Sequence, residues 1–123
     1  MTKQILETYV GQIAKSQDVG TAAAVAYGAG FSSSESRDAI DKGVGTQSNE
    51  MLSLQLAAAI RAGENGKAAG LLHALGIGDE SNLQAVEESG TNLNDAVISA
   101  LDSGKGAIYS SGLGAGQNVE LLS

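Results

Sequence analysis

Cysteine is absent from this chain of 123 residues. Without thiols, neither a disulfide framework nor a thiolate metal site can form. The absence fits a reducing compartment, and we expect a cytoplasmic location, which includes a particle assembled in the cytoplasm. The length is that of one domain and is sufficient to build one hydrophobic core without covalent cross-links.

Aromatic side chains make up only 3% of the residues, and tryptophan is absent. The core must therefore be built from alanine, leucine, isoleucine and valine, whose small side chains allow close backbone approach. The low aromatic content also leaves few of the aromatic anchors that dominate many tight interfaces. Hydrophobic residues still make up 42% of the chain, which argues against intrinsic disorder.

Basic residues are few, and no two of them are adjacent in the sequence. Seven lysines and arginines stand against fourteen aspartates and glutamates, which gives a formal net charge of −7. Binding to a nucleic-acid backbone needs clustered cations, and an acidic chain repels a polyanion at long range. We therefore expect no nucleic-acid partner.

Long apolar runs are also missing. The longest run of apolar residues and glycine, Ala22–Phe31, is far shorter than the ~20 residues that a membrane-spanning helix requires. Residues 1–15 carry polar side chains at every turn, so no secretory signal is evident. We expect a soluble protein that does not associate with a membrane.

Helical periodicity is the main feature that the sequence does contain. Apolar residues recur at three- and four-residue spacing with polar residues opposite, as in helices that pack one face on a core. Phe31, Ser32 and Glu35 have the spacing of a hydrophobic staple and a capping box, and Ser81 and Gln84 have the capping-box spacing again. The pattern predicts helices over Thr2–Lys15, Thr21–Tyr27, Ser33–Lys42, Thr46–Ala62, Lys67–Leu75, Ser81–Ser89 and Thr91–Ser103.

These elements predict an all-α fold, a compact bundle or array of five to seven short helices. Residues 1–104 are expected to form a single helical domain, and the glycine-rich segment 105–123 either docks on it or is mobile. Within residues 19–31 a buried strand is the alternative to a helix, for which Thr21 is a possible cap. Gly43 is expected to end the third helix in the left-handed conformation.

The helix over Thr46–Ala62 is predicted to be central, because it is apolar over more than half of its circumference. Either the core or a partner must cover such a helix. Small residues recur at every fourth position from Ala58 to Ala74. If the break at 63–66 is only a kink, they form one flat groove for close helix approach; intramolecular packing is the other interpretation. The candidate interaction residues are Met51, Leu54, Ala58, Ala62, Gly66 and Gly70.

No set of reactive side chains forms a recognisable pattern. His73 is the only histidine, whereas metal sites need several converging ligands. Glu35, Asp38 and Asp41 recur at three-residue spacing, which does not wrap a cation as a loop does, and we interpret them as a solvated face. Gly112–Gly116 lacks the spacing of a dinucleotide-binding loop. We expect no enzyme activity, no cofactor and no metal.

The resulting hypothesis is a non-enzymatic protein-binding or self-assembling helical module, such as an adaptor, an inhibitor or a particle or virion component. Its expected partner is a protein or a second copy. The alternative is an acidic carrier-type or small-ligand-binding helical domain, although a small-molecule ligand ranks below a protein partner. Here Ser81 is similar to the attachment serine of acyl carrier proteins, but Asn82 separates it from Leu83 and breaks the acidic-serine-leucine pattern. An inhibitor that mimics nucleic acid by its charge is a third hypothesis.

Overall fold

The computed structural model describes residues 2–90 and 92–103, and over these ranges the chain forms seven α-helices and no strand. The helices are α1 Lys3–Ser16, α2 Val19–Gly28, α3 Ser33–Val44, α4 Asn49–Ala62, α5 Asn65–Leu75, α6 Glu80–Glu88 and α7 Leu93–Ser103. The predicted all-α class is confirmed, and α2 replaces the strand alternative. The segment 105–123 lies outside the described residues. None of the described helices has the length and apolarity needed to cross a bilayer.

Side-chain caps set several of the helix starts. The Ser32 hydroxyl accepts the backbone N–H of Glu35, whose carboxylate accepts the N–H of Ser32, so the predicted capping box at α3 is present. At α2 and α6 the predicted caps, Thr21 and Ser81, are wrong, since the caps are Asp18 and Asp79. An aspartate accepts the free N–H groups and its charge favours the positive end of the helix dipole. For that reason these helices begin earlier than the hydroxyl residues indicated.

Gly43 does not end α3, contrary to the prediction. The helix continues to Val44 and is capped by Gly45, which has a φ of 88°. Gly43 lies instead where α3 crosses α1, and a β-carbon there would overlap the carbonyl oxygen of Gly11. This glycine is needed for close backbone approach, which a local sequence pattern does not distinguish from a cap.

The helix at the centre of the fold is α5, not α4 as predicted. Seven of the eleven residues of α5 are buried, and it contacts α2, α3, α4 and α6. Its Leu71 and Leu72 are completely buried in the core. On one side α1 packs on α2 and α3, and on the other α7 packs on α6. The helix α4 packs mainly on α5 and α2, so it is peripheral and one of its faces is uncovered.

The closest approach of α5 to a neighbour is at Gly70. A β-carbon at this position would lie 2.5 Å from the backbone carbonyl carbon of Ala23 and 2.5 Å from the backbone nitrogen of Ala24. The alanine-rich α2 and α5 therefore pack backbone against backbone. Around Gly66, one turn earlier in the same helix, a β-carbon would meet nothing within 4 Å.

We expect Gly70→Ala to lower the free energy of unfolding by about 1–3 kcal/mol, because the added methyl group forces α2 and α5 apart. Gly66→Ala is the matched control in the same helix and should raise it by about 0.5–1 kcal/mol, because alanine restricts the unfolded chain. Urea titrations of both variants measure the difference. Equal stability of the two variants would contradict the backbone contact between α2 and α5.

An ion pair joins the starts of α1 and α3. The Lys3 ammonium pairs with the Glu35 carboxylate that also closes the α3 capping box. The hydrogen bond from Lys3, followed by that from the Ser32 backbone, lowers the pKa of Glu35 to about 2. Because the folded pKa lies below the ordinary 4.5, Glu35 contributes stability above the ordinary value and loses it as the pH falls from 4.5 towards 2.

Lys3→Met should raise the pKa of Glu35 towards its ordinary value, because the largest cause of the shift is removed. An NMR titration of the Glu35 side-chain carboxyl measures this directly. Lys15→Met is the control on the same helix, since Lys15 makes no salt bridge to any described residue. A Glu35 pKa that is the same in both variants would show that Lys3 is not the cause.

Candidate interaction surface

One face of α4 is not covered by any described part of the chain. The helix begins where the Ser48 hydroxyl accepts the N–H of Met51, and it ends at Gly63, which has a φ of 70°. Its inner face, which includes the completely buried Leu52 and Leu56, lies in the core. The opposite side is exposed, and we name it the outer face of α4. The outer face consists of Glu50, Met51, Leu54, Gln55, Ala58, Arg61 and Ala62.

The outer face carries two large apolar side chains, Met51, which is 48% exposed, and Leu54, which is 54% exposed. Single exposed apolar residues are common on protein surfaces and need no explanation. These two lie three residues apart, and Ala58 follows Leu54 after four, so all three are neighbours on one side of the helix. Covering the exposed half of each large side chain is worth roughly 1 kcal/mol. Together they form an apolar strip along the outer face.

Side chains from α3 fix the start of α4. The Arg37 guanidinium donates from Nη1 to Asn49 Oδ1 at 3.1 Å and from Nη2 to the Gln47 carbonyl oxygen at 2.5 Å. The Asp41 carboxylate accepts the backbone N–H of Gln47 at 3.0 Å. Gln47 in the short connection and Asn49, the first residue of α4, are thereby attached to α3. The outer face is held on a helix whose position is fixed by polar contacts as well as by its packing on α5.

The three carboxylates predicted as a solvated face have different roles, and two of them also make contacts that hold the fold together. Glu35 caps α3 and pairs with Lys3, and Asp41 holds the connection to α4. Asp38 is exposed, and Glu35 and Asp41 are partly exposed. In the described ranges no three histidine, cysteine, aspartate or glutamate side chains converge so that they could hold a metal ion.

The predicted stripe of small residues is divided between two helices. Gly63 adopts the left-handed conformation and ends α4, so the break is a change of helix and not a kink. One flat groove therefore does not form. The exposed members of the stripe are Ala58, Ala62 and Gly66, and the buried ones are Gly70 and Ala74. Gly70 packs against α2 inside the core, as the intramolecular interpretation predicted.

A groove of about 560 Å³ lies between α2, α5 and α6, and sequence reasoning missed it. His73 Nε2 donates to the carbonyl oxygen of Phe31 at 2.7 Å, and the His73 ring centroid lies 5.1 Å from that of Tyr27. Burial raises the pKa of Tyr27, and the negative charges of Glu87 and Glu80 raise it further. The groove therefore combines an aromatic wall with a negative potential. No local signal could have revealed it, because the residues that form it are far apart in the chain.

Comparison of this chain with protein-family models, with curated proteins and with solved structures gives no match. The function must therefore be inferred from the surfaces themselves. The two that stand out are the outer face of α4, which is apolar along its middle, and the acidic groove beside Tyr27 and His73.

Proposed function

We propose that this chain is a non-enzymatic protein-binding or self-assembling helical module, acting in the cytoplasm through the outer face of α4. The observation that carries the proposal is the apolar strip in which Met51 and Leu54 are about half exposed beside Ala58. Residues spaced in this way on one helix are the anchors by which a helix docks against another helix or into a groove.

The polar attachment of α4 supports the same proposal. Because Arg37 and Asp41 hold the connection that precedes the helix, binding does not require α4 to be ordered first. A surface that is ordered before binding loses less conformational entropy on association. The net charge of −7 disfavours a nucleic-acid partner.

We expect the double substitution Met51→Glu and Leu54→Glu to abolish association through α4, because covering an unpaired carboxylate costs several kcal/mol. The measurements are light-scattering mass against concentration, and the set of proteins retained by the immobilised chain. Both side chains are about half exposed, so the variant should keep the wild-type circular dichroism spectrum.

The control is Ile98→Glu, which places one glutamate on α7 at a side chain that is 40% exposed. It should associate as the wild type does. The proposal fails if the wild type is monomeric at every concentration and retains the same proteins as the double variant.

A second candidate function, binding of a small ligand, is favoured by the groove beside Tyr27 and His73. Its volume of about 560 Å³ lies within the ~300–1,000 Å³ typical of ligand sites. The aromatic wall and the charges of Glu80 and Glu87 suit a small organic cation. Ser81 is exposed in the first turn of α6, next to Glu80, where a carrier-type attachment would be accessible.

Native mass spectrometry of the purified chain tests this second candidate. A bound ligand should add mass to the 12.3 kDa chain under native conditions and be lost on denaturation. A covalent group, after co-expression with a phosphopantetheinyl transferase, should survive denaturation and be absent from Ser81→Ala. A bare-chain mass in both experiments would exclude both forms of this candidate.

A further inference from the structure

We infer that the outer face of α4 binds a second copy of this chain, with the two α4 helices antiparallel about a two-fold axis beside Gln55. The inference rests on the proposed function, because it names the occupant of the same surface. The observation that carries it is the placement of two opposite charges, Glu50 and Arg61, at the two ends of that face.

Glu50 lies in the first turn of α4 and Arg61 in the last turn, and both are exposed. Neither makes a salt bridge with any residue in the ranges 2–90 and 92–101. Their separation in sequence corresponds to about three helical turns, so they lie within about 20° of each other and roughly 16 Å apart along the axis. Both charges therefore lie on the same edge of the apolar strip.

An antiparallel two-fold pair is the arrangement that brings these opposite charges of the two copies together. The two-fold operation reverses the direction of the helix and leaves each edge of the face on the same side of the contact. Glu50 of each copy then meets Arg61 of the other, so two ion pairs form along one edge. A parallel pair would place Glu50 level with Glu50 and Arg61 level with Arg61. Charge complementarity therefore selects the antiparallel orientation.

The apolar strip is complementary to itself in the same register. The midpoint between Glu50 and Arg61 falls beside Gln55, which lies on the other edge of the outer face. About this point Leu54 of one copy lies opposite Ala58 of the other, so a large side chain faces a small one. Such pairs let two helices interdigitate at close distance.

The size of the contact indicates a reversible dimer. One helix face from each copy is small compared with the ~1,600 Å² that a typical stable interface buries. The charge pairs lie at the rim, where salt screens them. We therefore expect dimerisation that rises with protein concentration, while added salt screens both the rim pairs and the repulsion between two chains of net charge −7.

Charge reversal tests the orientation directly. In Glu50→Arg alone both edge contacts become positive against positive, and in Arg61→Glu alone both become negative against negative. Each single variant should self-associate at least about ten-fold more weakly than the wild type. In an equimolar mixture every contact between the two variants joins opposite charges, so the mixture should form heterodimers at close to wild-type strength. Sedimentation velocity at several concentrations measures all three samples.

The double variant Glu50→Arg with Arg61→Glu should also regain self-association, because it exchanges the two charges without changing their complementarity. Glu88→Arg is the control, because it reverses an exposed acidic residue on α6 and should leave association unchanged. Circular dichroism and thermal unfolding establish that each variant folds.

Failure of this inference can be told apart from failure of the proposed function. If Met51→Glu with Leu54→Glu blocks association but mixing the charge variants restores nothing, the antiparallel arrangement is wrong and the surface is still used. If the wild type stays monomeric but retains a protein that the double glutamate variant does not, the second copy is wrong and the protein-binding function stands.

Discussion

The contact between α2 and α5 at Gly70 constrains the positions of the other helices. Alanine side chains remove little apolar area from water, so an alanine-rich core depends on close packing of the atoms that it has. At Gly70 the backbones of the two helices approach until no β-carbon fits between them. Because α2 lies so close to α5, the helices α3, α4 and α6 can also pack against this central helix. The crossing of α1 and α3 at Gly11 and Gly43 shows the same close approach of two helix backbones on one side of the fold.

Charged side chains connect these closely packed helices at their ends. Lys67 on α5 lies 3.5 Å from Asp18 Oδ2 at the start of α2 and also pairs with Glu64. Burial acts to raise the pKa of Asp18, but the hydrogen bonds from Thr21 and the charge of Lys67 outweigh it and lower the pKa. The hydrogen bond to Glu64 is the largest of the effects that raise the pKa of Lys67. Most charges near α2, α3 and α5 thus have a partner within the fold, which sets Glu50 and Arg61 apart on α4.

Placing α5 at the centre has a direct consequence for function. Because α4 is peripheral, part of its apolar circumference is exposed, and this is the physical basis of the proposed interaction surface. The sequence names Met51 and Leu54 as candidate interaction residues, and both are about half exposed on this helix. Gly70 is also among the predicted interaction residues, but the structure buries it against α2. Its spacing from Gly66 is the same whether or not the chain changes helix between Ala62 and Gly66, so the sequence pattern does not distinguish the two cases.

The sequence by itself determined the elements of the part of the chain that the structure describes: seven helices at nearly the predicted positions and the capping box at Ser32 and Glu35. It also excluded thiol chemistry. These features depend on helical periodicity and on hydrogen bonds between residues three or four apart, which a linear pattern contains. The tertiary structure alone decided which helix is central, that Gly43 serves a crossing and not a cap, and that His73 meets Phe31 beside Tyr27. Those outcomes depend on contacts between residues tens of positions apart, and hydrophobic spacing specifies which face of a helix is buried without specifying what buries it.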